Sequence, residues 1–214
     1  MRSTREKIMD VAERCFAHRG IAAASIRAIV KEADVNLGAV TYHFGSKDNL
    51  VIEIFKRRML PMTQERLEML DAARKNAGDR PLTLREVLES IIVPQRRIAK
   101  KFPEFIAFLS RMRAYPNPRF HEIIDSEFKP IFRVFDRALR EALPPMSDPE
   151  FRFKMFFFIH LMESVPENNF HLKQAVSNGL KDDAITEAFV SFVIGGLTSP
   201  FNSLFNEYFP FSRV

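Results

Sequence analysis

Apolar residues recur every three to four positions along most of the chain, which is the spacing of one face of an α-helix. The regular alternation of apolar and polar residues that marks a half-buried strand is missing from the sequence. Ile26, Ile29 and Val30 form one short apolar face, and Val40 and Phe44 form a second one after a polar turn. The pattern therefore predicts an all-α fold with a helix-turn-helix near the amino terminus.

Small polar residues that can cap a helix stand before the predicted helix starts. A cap side chain accepts a hydrogen bond from an otherwise unpaired amide in the first turn. Glu6 and Gly20 add a capping-box partner and a stop signal to the first helix. The predicted caps are Ser3, Ser25, Asn36 and Ser46.

A long fourth helix is predicted to begin at Ser46. Pro61 lies inside it and predicts a kink, because proline loses a backbone hydrogen bond and clashes with the preceding turn. The pattern breaks at residues 76–81, which include Gly and Pro. Five further helical stretches follow, over 83–101, 103–114, 118–143, 148–165 and 182–198.

Two residues in or next to the helix-turn-helix occupy positions that helix propensity or the helix dipole disfavours. Gly38 falls in the first turn of a short helix, although Gly costs about 1 kcal/mol relative to Ala there. It indicates either close approach to a base or phosphate, or close packing of another helix. Lys47 falls in the first turn of the fourth helix, where the dipole disfavours a cation. It indicates either an external anion such as a phosphate, or an ordinary solvated lysine.

The helix-turn-helix and the start of the next helix, residues 25–50, resemble the DNA-binding domain of the tetracycline-repressor (TetR) family of transcriptional regulators. The resemblance covers residues 3–58 and implies a DNA-binding domain over 1–46. A helical domain over 47–214 would bind an effector and dimerise, joined by the long helix kinked near Pro61. The motif residues that carry the resemblance are Ser25-Ile-Arg-Ala-Ile, Gly38, Tyr42-His43-Phe44, Ser46-Lys47-Asp48 and Leu50.

The resemblance also implies which residues meet DNA. Three positions would face base edges: Leu37, Gly38 and Ala39. The others would contact the DNA backbone: Arg2, Thr4, Arg5, Ser25, Arg27, Thr41, Tyr42, His43 and Lys47. No base-facing position carries the Arg, Lys, Asn or Gln that pairs with G or A. We therefore expect sequence reading through thymine methyl groups, DNA shape and backbone contacts, and no operator sequence is predicted.

Composition is that of an ordinary globular protein, with 46% hydrophobic and 28% charged residues among 214. Residues 1–60 hold 11 Lys and Arg against 7 Asp and Glu, so they carry +4 of the net charge of +5. An excess of positive charge at this end fits phosphate binding.

No signal peptide or membrane span is recognised, so we expect a cytoplasmic protein. Cys15 is interpreted as a core residue, with a redox sensor as the alternative.

The helices over 148–165 and 182–198 are the most apolar, and the first is apolar around its whole circumference. Such a helix must be buried on all sides, which favours a partner subunit over a monomer core. In the family the last two major helices form the dimer interface. The predicted interface residues are Phe156, Phe157, Ile159, Phe189, Phe192, Gly195 and Gly196.

The middle helices carry many of the 22 Phe residues. Most are expected to be core, but an apolar pocket with a few polar anchors also fits this composition. The candidate residues for an apolar or aromatic small-molecule effector are Phe105, Phe108, Met112, Phe128, Phe132, Phe135 and His160.

No P-loop, zinc spacing or nucleophile motif is recognised, so neither enzyme activity nor a cofactor or metal is predicted. His160 and Glu163 lie one turn apart and are better explained as a pair that satisfies its polar groups within the helix than as metal ligands. The sequence thus predicts a homodimeric, ligand-responsive regulator, most simply a repressor released from a palindromic operator by a small molecule. The alternatives are a constitutive dimeric DNA binder without an effector, and a helical enzyme with a coincidental amino-terminal match.

Overall fold

The computed structural model describes residues 3–164, 174, 179 and 181–201, and every regular element in these ranges is helical. This confirms the all-α prediction. The amino-terminal elements are α1 (Thr4–Arg19), α2 (Ile26–Glu32), α3 (Gly38–Phe44) and α4 (Lys47–Ala77). They are followed by α5 (Leu84–Lys101), α6 (Pro103–Arg113), α7 (Pro118–Ile123), a π-helical turn (Ile124–Phe128), α8 (Lys129–Ala142), α9 (Asp148–Ser164) and α10 (Asp182–Thr198).

The helix ends follow the caps predicted from sequence. The Ser3 hydroxyl accepts from the Glu6 amide at 3.3 Å, and the Glu6 carboxylate accepts from the Ser3 amide at 2.9 Å, so the capping box is formed. Gly20 ends α1 with φ at 82°, a conformation that favours glycine. Because these signals are local, a single sequence is enough to place them.

The chain packs into two compact units. Unit 1 comprises residues 1–65 and 97–130, and unit 2 comprises residues 66–96 and 131–214. Helix α4 contributes residues to both units, and it continues through Pro61 as one helix. The kink at this proline stays a prediction. The division into functional domains at residue 46 also stays a prediction, because packing does not show which residues bind DNA.

The core of unit 1 joins α1, α3 and the start of α4 to α6. Phe16 of α1 stacks on Phe108 of α6 with ring centroids 6.3 Å apart, and both rings are fully buried. Glu13, one turn before Phe16 on α1, is also buried and accepts hydrogen bonds from the Arg57 and Arg58 guanidinium groups of α4. This paired charge network fixes α1 against α4, because leaving Glu13 buried without its partners would be costly.

Cys15 is buried in unit 1, as its place on the apolar face predicted. Its Sγ lies 3.6 Å from Oε2 of Glu32, within the distance for a weak S–H donor. Burial raises the thiol pKa, and the Glu32 carboxylate raises it further. A thiol with a raised pKa is less reactive, which favours the core interpretation over a redox sensor.

The core of unit 2 is formed by the apolar faces of α5, α8, α9 and α10. Lys154 of α9 is buried there, and its Nζ donates to the carbonyls of Leu197 at 2.9 Å and Ser199 at 2.8 Å. Glu150 accepts from the same ammonium group at 2.9 Å. A cation at the carboxyl end of α10 interacts favourably with its free carbonyls, so this contact fixes α9 against α10.

Candidate nucleic-acid interface

The turn between α2 and α3 is held by backbone hydrogen bonds. The Ser25 hydroxyl caps α2 by accepting from the Ala28 amide at 3.1 Å. At the other end, the Asp34 amide donates to the Lys31 carbonyl at 3.3 Å and the Val35 amide to the Val30 carbonyl at 3.1 Å. These two bonds form a Schellman motif, with Asp34 in the left-handed position at φ 53°. Asp tolerates this conformation better than most non-Gly residues, so the sequence specifies a sharp turn here.

Helix α3 begins at Gly38, and the predicted cap Asn36 satisfies its first amides. The Asn36 Oδ1 accepts from the Gly38 amide at 2.8 Å, and the Asn36 carbonyl accepts from the Ala39 amide at 2.9 Å. Satisfying these free amides stabilises a helix of only seven residues, which would not persist alone.

One face of α3 is buried and the other is open. Val40 and Phe44 are buried in unit 1, as their spacing predicted. Tyr42 on the opposite face is 85% exposed, with Gly38 and Thr41 also exposed, and Leu37, just before the first turn, is 48% exposed. Of the three predicted base-facing residues, Leu37 and Gly38 are exposed, whereas Ala39 is half-buried and packs on the core of unit 1. A short helix with one anchored face and one exposed face suits insertion into a groove.

Gly38 has open space where a side chain would project. A Cβ at this position would meet only Asn36 Oδ1, at 3.4 Å, within the described part of the chain. No helix in the described ranges therefore explains the glycine by close packing, and close approach to an external molecule stays a prediction.

The end of α3 and the start of α4 are joined by a two-residue turn. Gly45 ends α3 at φ 74°, and the Ser46 hydroxyl accepts from the Asn49 amide at 3.1 Å. Lys47 follows, half-buried, with its Nζ donating to the Ala22 carbonyl at 3.2 Å. Burial lowers the pKa of Lys47, and the neighbouring Asp48 partly offsets this. An ammonium group has three N–H donors, so the bond to the Ala22 carbonyl does not prevent Lys47 from also binding a phosphate.

The remaining residues predicted to contact the DNA backbone belong to unit 1, and most of those that the structure describes are exposed. Thr4, Ser25 and Arg27 are exposed, and His43 is half-buried with its ring 4.9 Å from that of Tyr42. The Arg5 guanidinium pairs with Glu53 and lies 5.5 Å from the centre of the Phe44 ring. Arg2 lies outside the described residues.

The residues predicted for an effector pocket do not fall in one core. Phe105, Phe108, Met112 and Phe128 are buried together in unit 1. In unit 2, Phe135 is buried, Phe132 is 39% exposed, and His160 is exposed with Nδ1 2.8 Å from the Phe156 carbonyl. The effector pocket stays a prediction.

The residues predicted for a dimer interface are mostly exposed on α9 and α10. Exposure reaches 53% at Phe156, 55% at Phe157, 47% at Ile159 and 68% at Phe192. Phe189 is half-buried, and a Cβ added at Gly195 or Gly196 would meet nothing within 4 Å. The expectation that α9 is buried on all sides is therefore not met within one chain, since only part of its surface packs in unit 2.

The sequence interpretation missed two polar contacts at the base of α4. Tyr115 bonds to Asp48, and Arg119 bonds to Asn49. The partners are 67 and 70 residues apart along the chain, so no local spacing could have indicated them.

Among the described residues, no group of three or more His, Cys, Asp or Glu is arranged to hold a metal ion. None of the helices in those ranges has both the length and the apolar character needed to cross a membrane.

Comparison with known proteins agrees with this architecture. The family model for bacterial regulatory proteins of the tetR family matches residues 8–54, and that for the tetracyclin repressor-like C-terminal domain matches residues 94–196. The chain belongs to the TetR family of bacterial regulatory proteins, which confirms the resemblance drawn from its motifs.

Curated relatives match over part of their length. The HTH-type transcriptional regulator AcrR of Shigella flexneri is 37% identical over 98 residues, which cover 44% of each chain. The HTH-type transcriptional repressor AcnR of Corynebacterium glutamicum is 31% identical over 62 residues, or 29% of this chain and 33% of the relative. Matches thus span less than half the length of these relatives.

Solved structures share the fold over most of the chain. A TetR family transcription regulator from Marinobacter aquaeolei VT8 superposes with a TM-score of 0.64 at 17% identity, covering 92% of this chain and 96% of that one. At this identity the likeness establishes the helical fold and leaves function to the site itself.

Proposed function

We propose that this protein is a homodimeric DNA-binding regulator of transcription that acts as a ligand-released repressor. The observation that carries the proposal is the open face of α3. A glycine with free space above it stands between exposed Leu37 and exposed Tyr42, while Val40 and Phe44 anchor the helix from behind. The excess positive charge of residues 1–60 supplies attraction for a polyanion.

Two copies of this unit would enter successive major grooves of a near-palindromic site, about 34–36 Å apart. Leu37 and Gly38 would meet base edges, with the half-buried Ala39 at the margin of the contact. Thr41, Tyr42, His43 and Lys47 would hold phosphates, with Ser25, Arg27 and the amino-terminal residues. The relatives' names include a transcriptional regulator and a repressor, which supports this class of function.

The exposed aromatic surface of α9 and α10 supports dimerisation. Large apolar patches on a monomer surface mark interaction sites, and this one joins two helices already fixed together by Lys154. A second copy would cover Phe156, Phe157, Ile159 and Phe192, and the two open glycines would allow its helices to approach closely. A location in the cytoplasm is part of the same proposal.

Selection from random duplexes tests DNA binding directly. The full chain is incubated with a random duplex pool about 30 base pairs long, enough for two half-sites. We expect enrichment of a near-palindromic sequence bound more tightly than competitor DNA at moderate salt. Failure to enrich any sequence over repeated rounds would contradict the proposal.

Neutralising Lys47 should weaken binding to all duplexes alike. Both Lys47→Ala and Lys47→Gln are expected to reduce the salt dependence of affinity by about one phosphate contact per subunit. The glutamine keeps a polar side chain with N–H donors but no charge, so a loss shared by both variants at unchanged Tm reports the lost charge and not a folding effect. Lys75→Ala, at an exposed position near the end of α4, is the matched control. An unchanged salt slope would reject the phosphate contact.

A thermal-shift screen tests the effector. Binding to the folded state alone stabilises by about 2.7 kcal/mol at a hundredfold excess over Kd, and hence raises Tm by about 5 °C or more in a chain of this size. We expect such a shift from a member of a panel of apolar and aromatic small molecules, together with release of the selected duplex. A compound that raises Tm but leaves DNA binding unchanged would favour the constitutive regulator instead.

A further inference from the structure

Two hydrogen bonds tie Tyr115, between α6 and α7, and Arg119, in the first turn of α7, to the first turn of α4. The Tyr115 hydroxyl donates to Asp48 Oδ1 at 2.7 Å, and Arg119 Nη1 donates to Asn49 Oδ1 at 2.5 Å. All four residues belong to unit 1. We call them the polar bracket. Only Gly45 and Ser46 separate this turn of α4 from the last residue of α3.

Asn49 extends the bracket to α3 itself. Its Nδ2 donates to the Phe44 carbonyl at 2.9 Å, and Phe44 is the last residue of α3. Carbonyls at a helix carboxyl end have no partner within the helix, so this bond satisfies one of them. Because Arg119 donates to the oxygen of the same amide, it sets which end of the amide faces α3. A chain of hydrogen bonds thus runs from Arg119 through Asn49 to the proposed recognition helix.

The segment that carries the bracket is itself held firmly. Tyr115 and Phe120 pack against the core of unit 1, and the Phe120 ring lies 5.0 Å from that of Phe55, edge to face. The hydrogen bond to Asp48, together with burial, raises the pKa of Tyr115 to about 12. The hydroxyl therefore stays protonated and able to donate throughout the physiological pH range.

We propose that Tyr115, Arg119 and Asn49 are positioning residues for DNA recognition, which hold the carboxyl end of α3 in register from outside the helix-turn-helix. The proposal rests on the proposed function. It implies that affinity for DNA depends on residues distant from the interface in sequence, and that these residues act through α3 without touching DNA.

The first test measures affinity for the selected duplex. Tyr115→Phe removes only a hydroxyl, and Arg119→Ala removes the guanidinium donor to Asn49 together with its charge and stem. Each is expected to weaken binding about fivefold, the effect of one lost hydrogen bond. The salt slope should not change. Arg137→Ala is the matched control, since it removes an exposed arginine whose carboxylate partner lies on its own helix.

A double-mutant cycle separates positioning from direct contact. If Arg119 acts through Asn49, then adding Arg119→Ala to Asn49→Ala should weaken binding no further. If Arg119 instead binds a phosphate, the two losses should multiply and the salt slope should fall by about one contact per subunit. That second result would overturn the proposal.

A readout without DNA keeps the two proposals distinguishable. Amide hydrogen exchange in the last turn of α3 reports its order, for example at Gly45, whose amide donates to the Thr41 carbonyl at 3.0 Å. We expect faster exchange there in Tyr115→Phe and Arg119→Ala, with Tm nearly unchanged. Unchanged exchange would overturn the bracket. A wild-type chain that binds no duplex would overturn the proposed function, and the exchange rates would still decide the bracket.

Discussion

Replacing Gly38 by leucine should abolish binding to the selected duplex while leaving the protein folded. The open space above Gly38 accepts a side chain at no cost to the fold, since only Asn36 Oδ1 lies near a new Cβ. Removing a helical glycine also gains up to about 1 kcal/mol in helix propensity. The same side chain would occupy the space that the proposal assigns to a base edge or phosphate, so we expect at least a hundredfold loss of affinity.

The measurement pairs electrophoretic mobility shift with thermal unfolding. Gly38→Ala should give an intermediate loss of affinity, because a methyl group obstructs less than an isobutyl group. Ala107→Leu, at an exposed position of α6 in the same unit, is the control for an added leucine. Retained affinity in Gly38→Leu would show that the tip of α3 stays clear of DNA.

Placing a charge on the exposed face of α10 should convert the proposed dimer to a monomer. Phe192 is 68% exposed in the single chain, so Phe192→Glu removes little from the core of unit 2. In a dimer the carboxylate would be buried against apolar groups. Losses of 2 kcal/mol or more are typical when a central aromatic residue is removed from an interface, so the dimer Kd should rise at least about thirtyfold.

Light scattering coupled to size exclusion measures the oligomeric state. Leu60→Glu is the control, because Leu60 is a 41% exposed apolar residue of α4 in unit 1 and is not among the predicted interface residues. Affinity for the selected duplex should also fall in Phe192→Glu, since two linked binding units bind far more tightly than one. A stable dimer in Phe192→Glu would place the interface elsewhere.

The helix boundaries could be predicted well because their causes are local. Ser3, Ser25 and Ser46 cap the helices that they precede, and the break at residues 76–81 falls where α4 ends. The stretch over 118–143 was predicted as one helix, but it contains the π-helical turn Ile124–Phe128. A π-helical turn lengthens the hydrogen-bond spacing from four residues to five over a single turn. The pattern of apolar side chains is too coarse to show so local a change.

The candidate site was predicted in part. The exposed face of α3 follows from the helical spacing of Val40 and Phe44, and the structure exposes Gly38 and Tyr42 away from them. Leu37 shares the side of Val40 and Phe44 by spacing, and it is exposed because it precedes the first turn. The half-burial of Ala39 does not follow from that spacing. The effector pocket was inferred from composition alone, and composition cannot tell which of two cores a phenylalanine enters.

The order and ends of the helices, the sharp turn before α3 and the positive charge of the first 60 residues were determined by the sequence itself. Each depends on neighbouring residues or on simple counts. Only the tertiary structure decided that residues 97–130 pack with the helix-turn-helix and bring Tyr115 and Arg119 to Asp48 and Asn49. The physical reason is that contacts between distant segments arise from the packing of whole helices, and the residues involved carry no local signal of their partners.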